Sequence, residues 1–151
     1  MIDFVTGDLL SADADAICQQ VNCRNVMGAG LAKSIYTKWP AVKESYHRYC
    51  EEVGDPYSLI GNIQIVRTPE MPFDVVNVFG QLNYGRTLVR YTDYRALKKA
   101  FRKIQDHYDR STKIAFPYGF GCGLAGGDWN EVLSIIEWCL DDHQIIIYKK
   151  L

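Results

Sequence analysis

The sequence predicts an α/β layered fold built on a mostly parallel sheet. Short apolar runs of strand length alternate with longer segments whose apolar residues recur at helical spacing. Glycine-rich stretches fall where a strand passes into a helix. No linker, repeat or low-complexity tract interrupts this alternation over 151 residues, so a single domain spanning residues 1–151 is expected.

Residues 2–5 read as a short strand, and residues 16–21 as a second, buried one. Residues 30–39 read as a helix with Leu31, Ile35 and Trp39 on one face. Pro40 suits the first position of a second helix, where its fixed φ fits and its missing N–H is not needed. Val42, Tyr46, Tyr49 and Val53 continue at helical spacing, and Gly54 supplies a left-handed stop. Residues 63–66 and 75–79 read as strands separated by a turn region holding Pro69 and Pro72. A long amphipathic helix follows, with Tyr94, Leu97, Phe101, Ile104 and Tyr108 as its inner stripe. Residues 113–116 form a short buried strand. Asp128-Trp129-Asn130-Glu131 has the spacing of a capping box, with the Asp in the capping role, opening a helix to about residue 140. Residues 144–148 close the chain as a strand.

Composition excludes several classes. Hydrophobic residues make up 48% and the net charge is −1, so disorder is excluded. No apolar run approaches the ~18 residues of a membrane span, so no membrane partner is expected. The N-terminus lacks the basic and apolar segments of a secretory signal. Five cysteines, an odd number with no Cys-x-x-Cys, fit neither a disulfide framework nor a zinc site. A cytoplasmic chain with no metal and no cofactor is expected.

Glycine placement carries the functional signal. Gly28-Ala29-Gly30 lies between the second strand and the next helix. Gly119-Phe120-Gly121-Cys122-Gly123 follows the strand ending at Phe116, and Gly126-Gly127 leads into the last helix. Phe79-Gly80-Gln81-Leu82-Asn83-Tyr84-Gly85 follows another strand. In a parallel sheet all three loops fall at the carboxyl ends of strands, where such folds bind ligands. Glycine there lets backbone amides approach an anion, and a helix N-terminus adds a favourable field. Two such strand-to-helix loops point to a diphosphate. Gly121-Cys122-Gly123-Leu124-Ala125-Gly126 formally matches a dinucleotide fingerprint, but the next strand ends Tyr148-Lys149-Lys150-Leu151 without the acidic residue that would meet a ribose.

Three segments together resemble the macro domain family, the ADP-ribose-binding α/β/α fold. They are Thr6-Gly7-Asp8-Leu9-Leu10, the run from Val21-Asn22-Cys23-Arg24-Asn25 through Val26-Met27-Gly28-Ala29-Gly30-Leu31-Ala32, and Pro117-Tyr118-Gly119-Phe120-Gly121-Cys122-Gly123-Leu124. The likeness covers essentially the whole chain and implies a three-layer α/β/α domain with a mixed, mostly parallel sheet and nothing appended. Within the family it is nearest the branch of the terminal ADP-ribose protein glycohydrolase and the ADP-ribose-1″-phosphate phosphatase.

The resemblance implies a residue map. Asp8 and Leu9 would hold adenine, and Tyr148 would pack against it. Gly28, Ala29 and Gly30 would pass along the diphosphate and distal ribose. Gly119, Phe120, Gly121, Cys122, Gly123 and Leu124 would wrap the diphosphate. Asn22 and Asn25 would lie near the distal ribose. The lysine that attacks the distal ribose in the terminal glycohydrolase falls at Gln81 here, and its assisting aspartate at Ala125. A carboxamide cannot form the covalent imine an amine forms, so that route is not expected. The remaining catalytic candidates are Asn22, Asn25, Gln81, Asn83 and Asp128, with Arg86 able to pair a terminal phosphate. For Asp128 a structural role as a cap comes first.

Hydrolysis of ADP-ribose-1″-phosphate, or of an ADP-ribosyl group on protein or nucleic acid, is the activity these features imply. A non-catalytic ADP-ribose reader is the alternative. Residues 86–113 carry nine Lys/Arg and three Asp, a net of +6 set against −7 elsewhere. Arg95, Lys98, Lys99, Arg102 and Lys103 lie off the apolar stripe. This face reads either as a solvated helix surface or as a nucleic-acid contact through the basic helix 93–110.

Overall fold

A computed structural model describes residues 2–151 of the protein. Met1, the first residue of the expected domain, lies outside the described residues. The strands are β1 (Ile2–Thr6), β2 (Ala16–Asn22), β3 (Ile63–Val66), β4 (Asp74–Gln81), β5 (Lys113–Pro117) and β6 (Gln144–Lys149). The helices are α1 (Gly30–Lys38), α2 (Ala41–Val53), α3 (Pro56–Leu59), α4 (Tyr94–His107) and α5 (Trp129–Cys139). A 3-10 turn, Leu9–Ser11, follows β1.

The sheet order is β1-β6-β5-β2-β4-β3. All neighbours are parallel except β3, which pairs antiparallel with β4 at one edge. Period-2 alternation sends successive side chains to opposite faces. Ala16, Cys18, Val76, Val78, Ile114 and Phe116 pack under α4 and α5. Ile17, Val75, Ala115 and Ile146 pack with Ile35, Trp39 and Val42 of the α1–α2 side. Helices therefore cover both faces, which makes the layered α/β/α architecture.

Local differences from the sequence reading have physical causes. Helix α1 ends at Lys38, because Trp39 has left helical geometry and serves as the C-cap. Pro40 is the N-cap of α2 rather than its first residue, although its φ of −56° is already helical. Gly54 closes α2 at φ 74°, the left-handed stop the sequence announced. Helix α3 is a single turn, capped by Asp55 and started by Pro56, too short to show periodicity. Asp128 does cap α5, accepting from the amides of Asn130 and Glu131. The reciprocal half of a capping box is not made by Glu131: the Asp128 amide donates to the Tyr94 hydroxyl.

One irregularity positions a site residue. Val21 pairs with Phe79 while Asn22 pairs with Gln81, so Gly80 is an extra residue in β4. A bulge of this kind bends the strand and re-aims the side chain after it. A Cβ at Gly80 would stand 2.4 Å from Gln20 Oε1 and 2.6 Å from Leu97, so any larger residue would have to displace those side chains.

Candidate functional site

Five parallel strands end at one edge of the sheet, and their loops enclose three adjoining concavities. The first, about 410 Å³, lies between the loop after β1, Tyr118 and Tyr148. The second, about 350 Å³, lies between the start of α1 and the loop after β5. The third, about 500 Å³, is walled by residues of the loops after β2 and β4. The first and second share Gly30, Leu31, Pro117 and Tyr118, and the second and third share Gln20, Ala29, Gln81 and Ala125. They form one groove along the strand ends.

The middle of the groove is built from backbone. Ala29 caps α1 without a side-chain hydrogen bond, so the first amides of the helix face the groove uncapped. Opposite them, the loop after β5 turns through left-handed Gly119 and Gly121, at φ 76° and 73°. The amides of Gly121, Gly123 and Leu124 find no backbone acceptor among the described residues. Buried Phe120 anchors the loop between Phe101 and Phe116, and Thr92 Oγ1 donates to the Gly121 carbonyl at 2.6 Å. Anchored loop amides facing a helix N-terminus make an anion site. A Cβ at Gly28, Gly30 or Gly123 would meet nothing within 4 Å, so the space beside them is open.

The first concavity holds Asp8, Leu9 and Tyr148 together. Asp8 accepts from the Leu10 amide at 3.0 Å through Oδ1, so it caps the 3-10 turn while standing at the pocket. The Tyr148 hydroxyl accepts from the Asp13 amide, which fixes its ring.

The third concavity holds Asn22, Gly28, Ala29, Gln81, Tyr84 and Arg86. Asn22 organises its own loop: Nδ2 donates to Val26 O, Oδ1 accepts from the Arg24 amide, and the Asn22 carbonyl accepts from the Tyr46 hydroxyl. Gln81 is held at both ends, accepting from Gln20 Nε2 and donating to Asn83 O, each at 2.8 Å. Arg86 is the one charged side chain in the lining. Ala125 stands in the same wall, so neither an amine nor a carboxylate faces this end.

Four expected site residues do not line the groove. Asn25, at φ 62°, turns its Oδ1 to His47 Nδ1 at 2.5 Å. Asn83 accepts from Arg24 Nε. The Asp128 carboxylate is exposed and serves the first turn of α5. Cys122 points its Sγ to Phe120 O, and burial, then Asp128, pushes its thiol up to about 11. Cys122 packs under the loop, and its amide donates to the Gly119 carbonyl.

Residues outside the expected set also shape the groove. Tyr118, Leu31 and Ser34 line the first concavity. Gln20 bonds both Gln81 and Thr92, tying the loops after β4 and β5 to β2. Two adjacent glutamines inside an apolar strand were the available signal. Among the described residues no group of three or more His, Cys, Asp or Glu could hold a metal. No helix of the described residues is long and apolar enough to cross a membrane.

The profile of the macro domain family matches residues 18–136. The chain is a macro domain. A Mycobacterium tuberculosis protein named DNA ADP-ribosyl glycohydrolase is 32% identical over 136 residues, covering 87% of this chain and 36% of that relative. A Scheffersomyces stipitis protein named ADP-ribose 1″-phosphate phosphatase is 31% identical over 87 residues, 53% of this chain and 49% of its own length. This macro domain thus spans about a third to a half of the length of these curated relatives. The macrodomain of Thermus aquaticus DarG superposes with a TM-score of 0.78 at 26% identity, covering 98% of this chain and 97% of that one.

Proposed function

We propose that this macro domain binds ADP-ribose along the groove and hydrolyses a derivative substituted at the distal ribose. One observation carries the reading: unpartnered backbone amides at mid-groove lie between two ring-sized concavities, the order of an adenosine, a diphosphate and a second ribose. Asp8, Leu9 and Tyr148 take the adenine end. The α1 N-terminus and the amides of Gly121, Gly123 and Leu124 take the diphosphate. Asn22, Gln81 and Arg86 surround the distal ribose, where Arg86 holds an anionic substituent such as a 1″-phosphate. The names of both relatives, which concern ADP-ribosyl groups and ADP-ribose 1″-phosphate, support the same chemistry.

No amine at the distal end can form an imine, so bond cleavage here relies on water oriented by amides and hydroxyls. Five unpaired cysteines, four of them buried, support a reducing cytoplasmic setting. Calorimetry with ADP-ribose tests the binding: one-to-one association is expected, and no heat up to about 1 mM overturns it. Incubation with ADP-ribose-1″-phosphate then tests hydrolysis through released phosphate. Binding without release favours the reader, a reading that the missing lysine and aspartate at Gln81 and Ala125 also support.

A further inference from the structure

A chain of hydrogen bonds runs under the groove from the loop after β5 to the end of β4. Buried Thr92 donates from Oγ1 to the Gly121 carbonyl at 2.6 Å. Gln20 Nε2 donates to Thr92 Oγ1 at 2.9 Å and to Gln81 Oε1 at 2.8 Å. Gln81 Nε2 donates in turn to the Asn83 carbonyl at 2.8 Å. Gln20 stands at the centre, on β2, the strand that lies between β5 and β4 in the sheet.

The two ends of the chain fix its polarity. A backbone carbonyl can only accept, and a threonine hydroxyl has a single proton. The Gly121 carbonyl takes that proton, so Thr92 Oγ1 is left to accept. Gln20 must then present its NH2 group, with one N–H for Thr92 and one for Gln81. Gln81 answers with Oε1, which turns its own NH2 group the other way. One of those N–H bonds goes to the Asn83 carbonyl. The other has no acceptor among the described residues, and Gln81 lines the third concavity. Packing alone does not account for Gln20. Its Oε1 is buried without a hydrogen-bond partner, a cost that an apolar side chain of the same shape would not carry. The oxygen lies between two backbones: a Cβ would stand 2.4 Å from it at Gly80 and 2.9 Å from it at Gly121. Glycine at both positions leaves room for the carboxamide. Turning that carboxamide over would set Oε1 against Gln81 Oε1 and press its NH2 group between the two glycines.

We propose that Gln20 and Thr92 are positioning residues that make Gln81 a hydrogen-bond donor towards the distal ribose, its polarity set by the Gly121 carbonyl. This role rests on the ADP-ribose reading of the groove. The loop whose amides take the diphosphate thereby also dictates what the distal end offers. An N–H suits an oxygen of the ribose or of its substituent, and rejects a second donor.

The test reads the ratio of ADP-ribose affinity to ADP affinity, because ADP lacks the distal ribose and reports the rest of the groove. Calorimetry compares the native chain with Gln20→Met, Gln81→Ala and the double variant, and with Thr92→Val and Thr92→Ser. Methionine keeps the unbranched shape of Gln20 and removes its donors. Gln20→Met is expected to lower the ratio about fivefold, the worth of one hydrogen bond. In the Gln81→Ala background the same substitution should change the ratio by less than about twofold, because a residue that acts through Gln81 then has nothing to position. Thr92→Val should lower the ratio, and Thr92→Ser, which keeps the hydroxyl, should hold it. A native ratio in Gln20→Met, or an equal loss with and without Gln81, overturns the assignment and leaves the groove reading intact. The native chain supplies a measurement that needs no variant to fold. In amide NMR spectra the Gln81 side-chain NH2 signals should shift with ADP-ribose and hold with ADP. Signals that hold with ADP-ribose bound overturn the assignment. Failure of ADP-ribose to bind the native chain overturns the groove reading and the assignment together.

Discussion

The hydroxyl of Tyr46, fully buried on α2, donates to the backbone carbonyl of Asn22 at 2.8 Å and lies 3.1 Å from its Oδ1. One phenol thus holds the end of β2 and the loop that walls the distal concavity. Burial, followed by the nearby Cys50, raises its pKa, so the proton that makes this bond stays in place. Tyr46→Phe keeps the ring stacked on Phe79 but leaves a buried carbonyl without its donor. The expected loss is about 1–3 kcal/mol, or ~2–4 °C in Tm for each kcal/mol at this length. Affinity for ADP-ribose should fall as well, because the Asn22 loop loses its clamp. Thermal denaturation and calorimetry on one sample check both.

Two glycines at the same edge should separate binding from stability. Gly123→Val places its branches in open groove, so the melting temperature should hold while ADP-ribose affinity falls more than about tenfold. Gly80→Ala instead drives a methyl into Gln20 and Leu97. Overpacking of this kind costs about 1–3 kcal/mol, read in the melting temperature before any ligand is added. Equal effects on both quantities for both variants would contradict the groove's placement.

The layered fold follows from patterns carried by single elements. Ile17 and Cys18 belong to opposite cores, and the β2 sequence already shows both faces apolar, as a central parallel strand requires. The loop glycines were equally readable, because their spacing after strands is local. Contacts distant in sequence were not. Tyr46 reads as one more member of the α2 stripe, and nothing nearby reveals that its hydroxyl reaches Asn22. Gln20 reads as a polar interruption until the bulge at Gly80 brings Gln81 beside it. Asn25 and Asn83 read as ligand contacts by type, yet His47 and Arg24 had already engaged their side chains.

Cys122 tests whether the glycine-rich loop after β5 activates a thiol. Its pKa is raised to about 11, with burial first and Asp128 second among the causes. The thiol is therefore neutral at pH 8, with about one part in a thousand as thiolate. Alkylation by iodoacetamide should be slow there and rise about tenfold per pH unit towards 11. Because the folded value lies above the ordinary thiol value of ~8.5, this group favours folding below that pH. Its contribution declines as pH climbs through about 11. Rapid labelling at neutral pH would show an activated cysteine.

Asp128 should matter to the helix and not to turnover. Its carboxylate accepts from two amides of α5 and is absent from the groove lining. Asp128→Ala is expected to cost about 0.5–2 kcal/mol of stability through the lost cap. Hydrolysis measured well below the melting range should keep its kcat. A large fall in kcat at unchanged KM would restore Asp128 as a catalytic group.

Arg86 is the sharpest discriminator of what sits on the distal ribose. It is the single charge in that concavity and stands on an exposed loop. A charge-assisted contact there is worth about 1 kcal/mol after solvent screening. Arg86→Ala should weaken ADP-ribose-1″-phosphate about fivefold and leave unsubstituted ADP-ribose unchanged, because only the former places an anion at C1″. Raising the salt concentration should shrink the difference between the two ligands in the native protein, and do nothing in the variant. Equal loss for both ligands would mean that Arg86 supports the wall of the cavity and does not contact the substituent.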